Sequence, residues 1–141
     1  MGVLSERDRT EIRKRLGELA EPVRLVYFTQ ELECATCREG HRLLEELASL
    51  SDKLSLEVHN FLLDRDQVAA YGVDKVPATV LVGDRDRGIR YYGVPSGYEF
   101  AALLDDIQMV SRRDSGLSDS SREKLRALSA PLHVQVFVTP T

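Results

Sequence analysis

The tightest constraint on this chain is a junction. The run VRLVYFT (Val23 to Thr29) is dense in β-branched and aromatic residues and reads as a buried strand. After the polar turn QELE come Cys34 and Cys37, the two cysteines of the chain, in the stretch LECATCREG. Leu43, Leu44, Leu47 and Leu50 then follow helical spacing, so a helix starts near the cysteines and ends by Ser51. LSLEVHNFL (Leu54 to Leu62) alternates apolar and polar residues like a half-buried strand. A helix joining two strands favours a parallel pair.

The rest of the chain extends that unit. Ser5 is positioned to cap a helix running to about Ala20, with Ile12, Leu16 and Leu19 on one face and Pro22 closing it. DRDQVAAYGV predicts a short helix stopped at Gly72. ATVLVG (Ala78 to Gly83) reads as a strand, DRDRG as a turn and IRYYG (Ile89 to Gly93) as its antiparallel partner. From Ser96, SGYEFAALLDDIQMV is an amphipathic helix. The order is a helix, then βαβ, then αββα. A chain of 141 residues suits one domain with something left over.

The remainder repeats the opening. After the Ser-rich run SRRDSGLSDSS (Ser111 to Ser121), the segment LSDSSREKLRALSAPLHVQVFVT follows the plan of LSERDRTEIRKRLGELAEPVRLVYFT. Leu117 matches Leu4, Pro131 matches Pro22 and Phe137 matches Phe28. The shared Leu-Ser opening favours a duplicated unit over a chance helix–proline–strand match. The expected organisation is a unit over 1–112 and, over 113–141, a linker with the first helix and strand of a second unit. Val134, Val136 and Val138 would need a sheet partner there, because an unpaired apolar strand is prone to associate. The chain is therefore expected to be a fragment of a longer protein or a homodimer exchanging this segment.

Charge narrows the function. A net charge of −4 spread over mixed residues offers neither a nucleic-acid footprint nor a polybasic membrane patch. No apolar run spans a bilayer, and the first residues lack an apolar signal region, so a cytoplasmic location is expected. In a cytosolic chain, a pair of cysteines at one tight spacing points to catalysis or metal binding rather than to a structural framework.

The chemistry at the motif follows from its place. Cys34 lies where free backbone N–H groups and the positive end of a helix dipole favour thiolate over thiol. Arg38 adds to this, while Glu33 and Glu39 oppose it. Cys37, one turn deeper, is placed to resolve a mixed disulfide formed at Cys34. A zinc site needs four ligands. His41, one turn beyond Cys37, makes a three-ligand cluster conceivable, with His59 and His133 farther off, but no second C-x-x-C completes it. Redox use is favoured over metal, and a pair of buried inert thiols is weaker still because the flanks are polar. Val76-Pro77 precedes a strand, where proline is either a plain trans strand-start residue or cis. In the cis form, backbone N–H and C=O groups beside Cys34 could pair with an extended peptide.

With C-x-x-C at the first helix of βαβ-αββα and Val-Pro before the third strand, the chain resembles the thioredoxin/glutaredoxin superfamily from about Val23 to Val110. The runs DKLSLEV, YYGVPSGYEFAALLDDI and VFVTPT, with the duplicated plan, resemble the protein disulfide oxidoreductases of thermophilic archaea and bacteria, which carry two tandem thioredoxin-fold units. The resemblance implies an α/β three-layer sandwich around a mixed four-stranded sheet with an extra N-terminal helix. It implies that Cys34 attacks, Cys37 resolves, Pro77 is the cis-proline, and Val76 and Pro77 bind substrate. It further implies reduction, oxidation or isomerisation of protein disulfides, with no cofactor beyond the Cys34–Cys37 pair. Implied partners are protein disulfides, a thioredoxin-reductase-like flavoprotein and a peroxiredoxin, in a role in electron transport and redox homeostasis. Alternatives are a binding module with idle or metal-holding thiols and a relay dedicated to one partner. The chain departs from the pattern in its Ala35-Thr36 pair, in having no Trp, and in lacking an acid in VRLVYFT. Proton transfer must then use another group or water.

Overall fold

The computed structural model describes residues 2–139. Its elements run α1 (Glu6–Leu16), β1 (Val23–Thr29), α2 (Cys37–Ala48), β2 (Leu54–Asn60), α3 (Arg65–Tyr71), β3 (Ala78–Val82), β4 (Asp86–Tyr92), α4 (Tyr98–Arg112) and α5 (Asp119–Arg126). One sheet has the order β2-β1-β3-β4. β1 pairs with β2 in parallel, and β3 is antiparallel to both β1 and β4.

The central strands explain their own composition. β1 and β3 are covered on both faces, so nearly every residue along them is apolar and buried. One face of the sheet carries Leu25, Tyr27, Leu81 and Tyr91 under Ile12 and Leu16 of α1, Leu44 and Leu47 of α2, and Leu103, Ile107 and Val110 of α4. The other face carries Val26, Phe28, Val80 and Val82 under Val68 and Tyr71 of α3. Alternate residues of β1 thus fill two different cores, as the period-two geometry of a strand requires. The result is the expected three-layer α/β sandwich with an extra N-terminal helix.

Several boundaries differ from the sequence expectations. α1 stops at Leu16 rather than Ala20, because Gly17 is a poor helix former and its N–H already closes the last turn on the Arg13 carbonyl. β4 begins at Asp86, inside the expected turn, with a register irregularity opposite Val80 and Val82. The largest difference is the expected strand Val134–Val138. Residues 127–139 take no regular structure, and Val136 and Phe137 are 78% and 89% exposed. A strand needs a neighbour's N–H and C=O groups, and no strand among the described residues lies alongside this segment. α5 does form, capped by Ser118, but buries no residue.

Candidate active site

β1 delivers the chain to the motif. At its end the Thr29 carbonyl accepts the Phe61 N–H at 2.8 Å, which locks the β2 exit beside the motif loop. Gln30 then donates to the Leu32 carbonyl at 2.7 Å and folds the loop over. Glu33 sits at φ +57°, a left-handed conformation uncommon outside glycine, so the chain turns sharply just before Cys34. Thr36 caps α2 without a side-chain hydrogen bond, which leaves the first-turn N–H groups uncapped by its hydroxyl.

Cys34 and Cys37 are joined as a disulfide, with Cα atoms 5.5 Å apart. Their surroundings differ. Cys34 is half-buried on the loop, whereas Cys37 is the first residue of α2 and only 2% exposed. The two sulfurs therefore differ in their access to solvent.

The proline lies at the same end of the sheet. Phe28 pairs with Ala78, so Pro77 stands opposite Thr29, where the motif loop leaves β1. The Val76–Pro77 bond is cis, resolving the two isomers left open by the sequence. Pro77 is buried and Val76 half-buried. The Pro77 carbonyl accepts the Gly93 N–H at 2.9 Å, tying the β4–α4 loop to the proline. The motif loop and the Val76–Pro77 bond therefore lie at the same end of the two central strands.

The other sequence candidates are less tightly bound. Arg38 is exposed and is in no ion pair with a carboxylate among the described residues. His41 lies against the Tyr27 ring with centroids 5.9 Å apart. His59 contacts Glu57 at 2.6 Å and lies 3.8 Å from Asp64, and His133 is exposed in the C-terminal segment. No group of three or more His, Cys, Asp or Glu side chains among the described residues is arranged to hold a metal ion.

Sequence reasoning missed three residues beneath the motif. Tyr27 is fully buried, and its hydroxyl donates to the Cys37 carbonyl at 2.7 Å. Burial pushes that hydroxyl up to about 12, partly offset by a hydrogen bond with Thr29. Gly40 lies directly against it: a Cβ there would come 2.5 Å from Tyr27 Oη. Thr79, opposite Tyr27 on β3, is fully buried, and its Oγ1 finds no hydrogen-bond partner among the described residues. A signal for Tyr27 was available, since a tyrosine in a buried strand must find an acceptor for its hydroxyl.

No family model matches the chain. Among solved structures, it is similar to a protein disulfide oxidoreductase of Aeropyrum pernix, at 31% identity and a TM-score of 0.79, over 90% of this chain and 57% of that one. It is also similar to the NTD N/C domain of the alkylhydroperoxide reductase AhpF of Enterococcus faecalis, at 27% identity and a TM-score of 0.78, over 89% of this chain and 61% of that one. Among curated sequences it matches an alkyl hydroperoxide reductase component of Xanthomonas campestris pv. phaseoli, at 26% identity over 92% of this chain and 22% of that protein. The chain thus spans a little over half of those two structures and about a fifth of the curated relative. No helix among the described residues is long and apolar enough to cross a membrane. Fold, neighbours and motif agree: the chain is a thioredoxin-fold unit carrying a Cys34–Cys37 pair, similar to the disulfide oxidoreductases of that fold.

Proposed function

We propose that the protein exchanges disulfides with other proteins through Cys34 and Cys37. The observation that carries this reading is the asymmetry of the pair: a half-buried Cys34 on the loop and a buried Cys37 at the start of α2. In the reducing direction, the Cys34 thiolate attacks one sulfur of a substrate disulfide. A new Cys34–substrate bond forms, the substrate S–S bond breaks, and the released sulfur takes up a proton. Cys37 then loses its proton, attacks Cys34 Sγ and expels the second substrate sulfur as a thiol. Two electrons pass to the substrate, and the protein is left with the Cys34–Cys37 disulfide. In this reading Val76 and Pro77 present backbone groups to the substrate chain, as strand addition does, and Arg38 assists the thiolate.

Reduction of insulin by dithiothreitol tests the activity. The protein is expected to accelerate it, with Cys34→Ser abolishing the acceleration. A wild-type rate no faster than dithiothreitol alone sinks the reading.

A second reading, as a relay serving one reductase and peroxidase system, is favoured by the likeness to the alkyl hydroperoxide reductases. Its partners would be a thioredoxin-reductase-like flavoprotein and a peroxiredoxin, in a cytosolic redox role. Reduction of a peroxiredoxin disulfide at least tenfold faster than insulin supports it; equal rates contradict it. Recovery of the protein outside the cytosolic fraction of its cells contradicts the location. The exposed segment 131–138 also supports a homodimer that pairs this segment between copies. Sedimentation as a monomer at micromolar concentration, with this segment exchanging its amide hydrogens freely, argues against that.

A further inference from the structure

Strand β1 has no acid beneath the motif, yet one buried polar group there touches it. The Tyr27 hydroxyl donates to the Cys37 carbonyl at 2.7 Å, and neither residue is appreciably exposed. That carbonyl belongs to the first turn of α2, and its peptide group carries the Arg38 N–H on the other side. First-turn N–H groups have no partner within their own helix, and the Thr36 side chain caps none of them. They face the end of the helix from which Cys34 departs.

We propose that Tyr27 is a positioning residue for the thiol pair: its hydroxyl holds the Cys37 peptide and polarises it toward Cys34. The inference rests on the oxidoreductase reading for its biological meaning but concerns a property of the pair itself. A hydrogen bond donated to a peptide carbonyl makes the N–H of the same peptide a stronger donor. Tyr27 therefore strengthens the Arg38 N–H, which favours a thiolate at Cys34. The disulfide carries no charge to be stabilised in this way. Tyr27 thus favours the reduced dithiol over the disulfide and makes the pair more oxidising. The hydroxyl keeps its own proton throughout, so no proton or electron passes through it. Burial holds it protonated across the range where thiols ionise.

Gly40 belongs to the same arrangement. A Cβ at that position would stand 2.5 Å from Tyr27 Oη but 3.3 Å from the ring carbon that bears it. The glycine is therefore needed by the hydroxyl more than by the ring.

The test uses the full chain, and its readouts require no turnover. In Tyr27→Phe, the dithiol–disulfide equilibrium against glutathione should move about threefold toward the disulfide, roughly 14 mV for a two-electron couple. The pH midpoint of Cys34 alkylation should rise in parallel. Gly40→Ala, which displaces the hydroxyl, should move both in the same direction, and in the Tyr27→Phe background it should add little. A lowered melting temperature with unchanged equilibrium and midpoint would reduce Tyr27 to a packing residue and overturn the proposal. Equal effects of Gly40→Ala in both backgrounds would also overturn it. If insulin reduction fails while these shifts appear, the oxidoreductase reading falls and the positioning role stands.

Discussion

The same local plan occurs twice in this chain with opposite outcomes. Near the N-terminus, Ser5 caps α1, Pro22 follows and β1 fills both cores of the sandwich. In the C-terminal segment, Ser118 caps α5 and Pro131 follows, but α5 buries nothing and residues 131–138 form no strand. The caps are alike: Ser5 Oγ accepts the Asp8 N–H at 3.1 Å, and Ser118 Oγ accepts the Ser121 N–H at 3.2 Å. The difference is tertiary. α1 lays Ile12 and Leu16 on a sheet, and β1 has β2 and β3 on its two sides. A helix start is written locally, whereas a strand exists only with a neighbour.

Core truncation should separate the two regions most sharply. Leu103→Ala empties a fully buried site on α4 and should cost about 2–5 kcal/mol in denaturant unfolding. Phe137→Ala, at a highly exposed position in the C-terminal segment, should stay within about 0.5 kcal/mol. A large loss from Phe137→Ala would show that the segment is packed in solution.

The caps give a smaller contrast. Ser5→Ala should lower global stability by about 1 kcal/mol, because α1 is part of the folded core. Ser118→Ala should leave the unfolding midpoint unchanged while reducing the helical signal of α5. Equal midpoint losses would mean that the two regions unfold as one.

The smallest expected effect concerns how α1 is attached. The Glu46 carboxylate accepts the backbone N–H groups of Leu4 and Val3 and pairs with Arg9 at 3.0 Å. The Leu4 bond, then the Val3 bond, hold its pKa below the ordinary 4.5. A carboxyl lowered by folding contributes stability above its unfolded value, and that contribution is lost as pH falls through its folded value. Glu46→Gln should therefore be slightly less stable than wild type at pH 7, with the difference closing below pH 4.5. A difference that persists in acid would contradict the ionic part of this attachment.

Much of the first unit was legible because its signals are local or periodic. The leucine spacing of α2, the Ser5 cap and the stop at Gly72, which takes φ +64° after α3, each needed only neighbouring residues. That the motif and the Val76–Pro77 bond lie at one end of the sheet was legible through motif order. What stayed hidden depends on chain segments far apart in sequence. The Tyr27–Cys37 bond joins a strand to a helix start, and the need for glycine at position 40 comes from that hydroxyl. Ser111, which opens the Ser-rich run, closes α4 onto the turn before β1 by bonding Glu21 through both backbone groups. The expected strand at Val134–Val138 differs for the opposite reason: its pattern is local, but no strand among the described residues pairs with it.

Trapping of a mixed disulfide tests the central claim most directly. A Cys37→Ser variant incubated with a protein disulfide substrate should accumulate a covalent complex through Cys34, resolved by dithiothreitol and mapped by mass spectrometry. Cys34→Ser should accumulate none under the same conditions. Trapping through Cys37 instead, or no complex from either variant, would contradict the division of roles between the half-buried and the buried thiol.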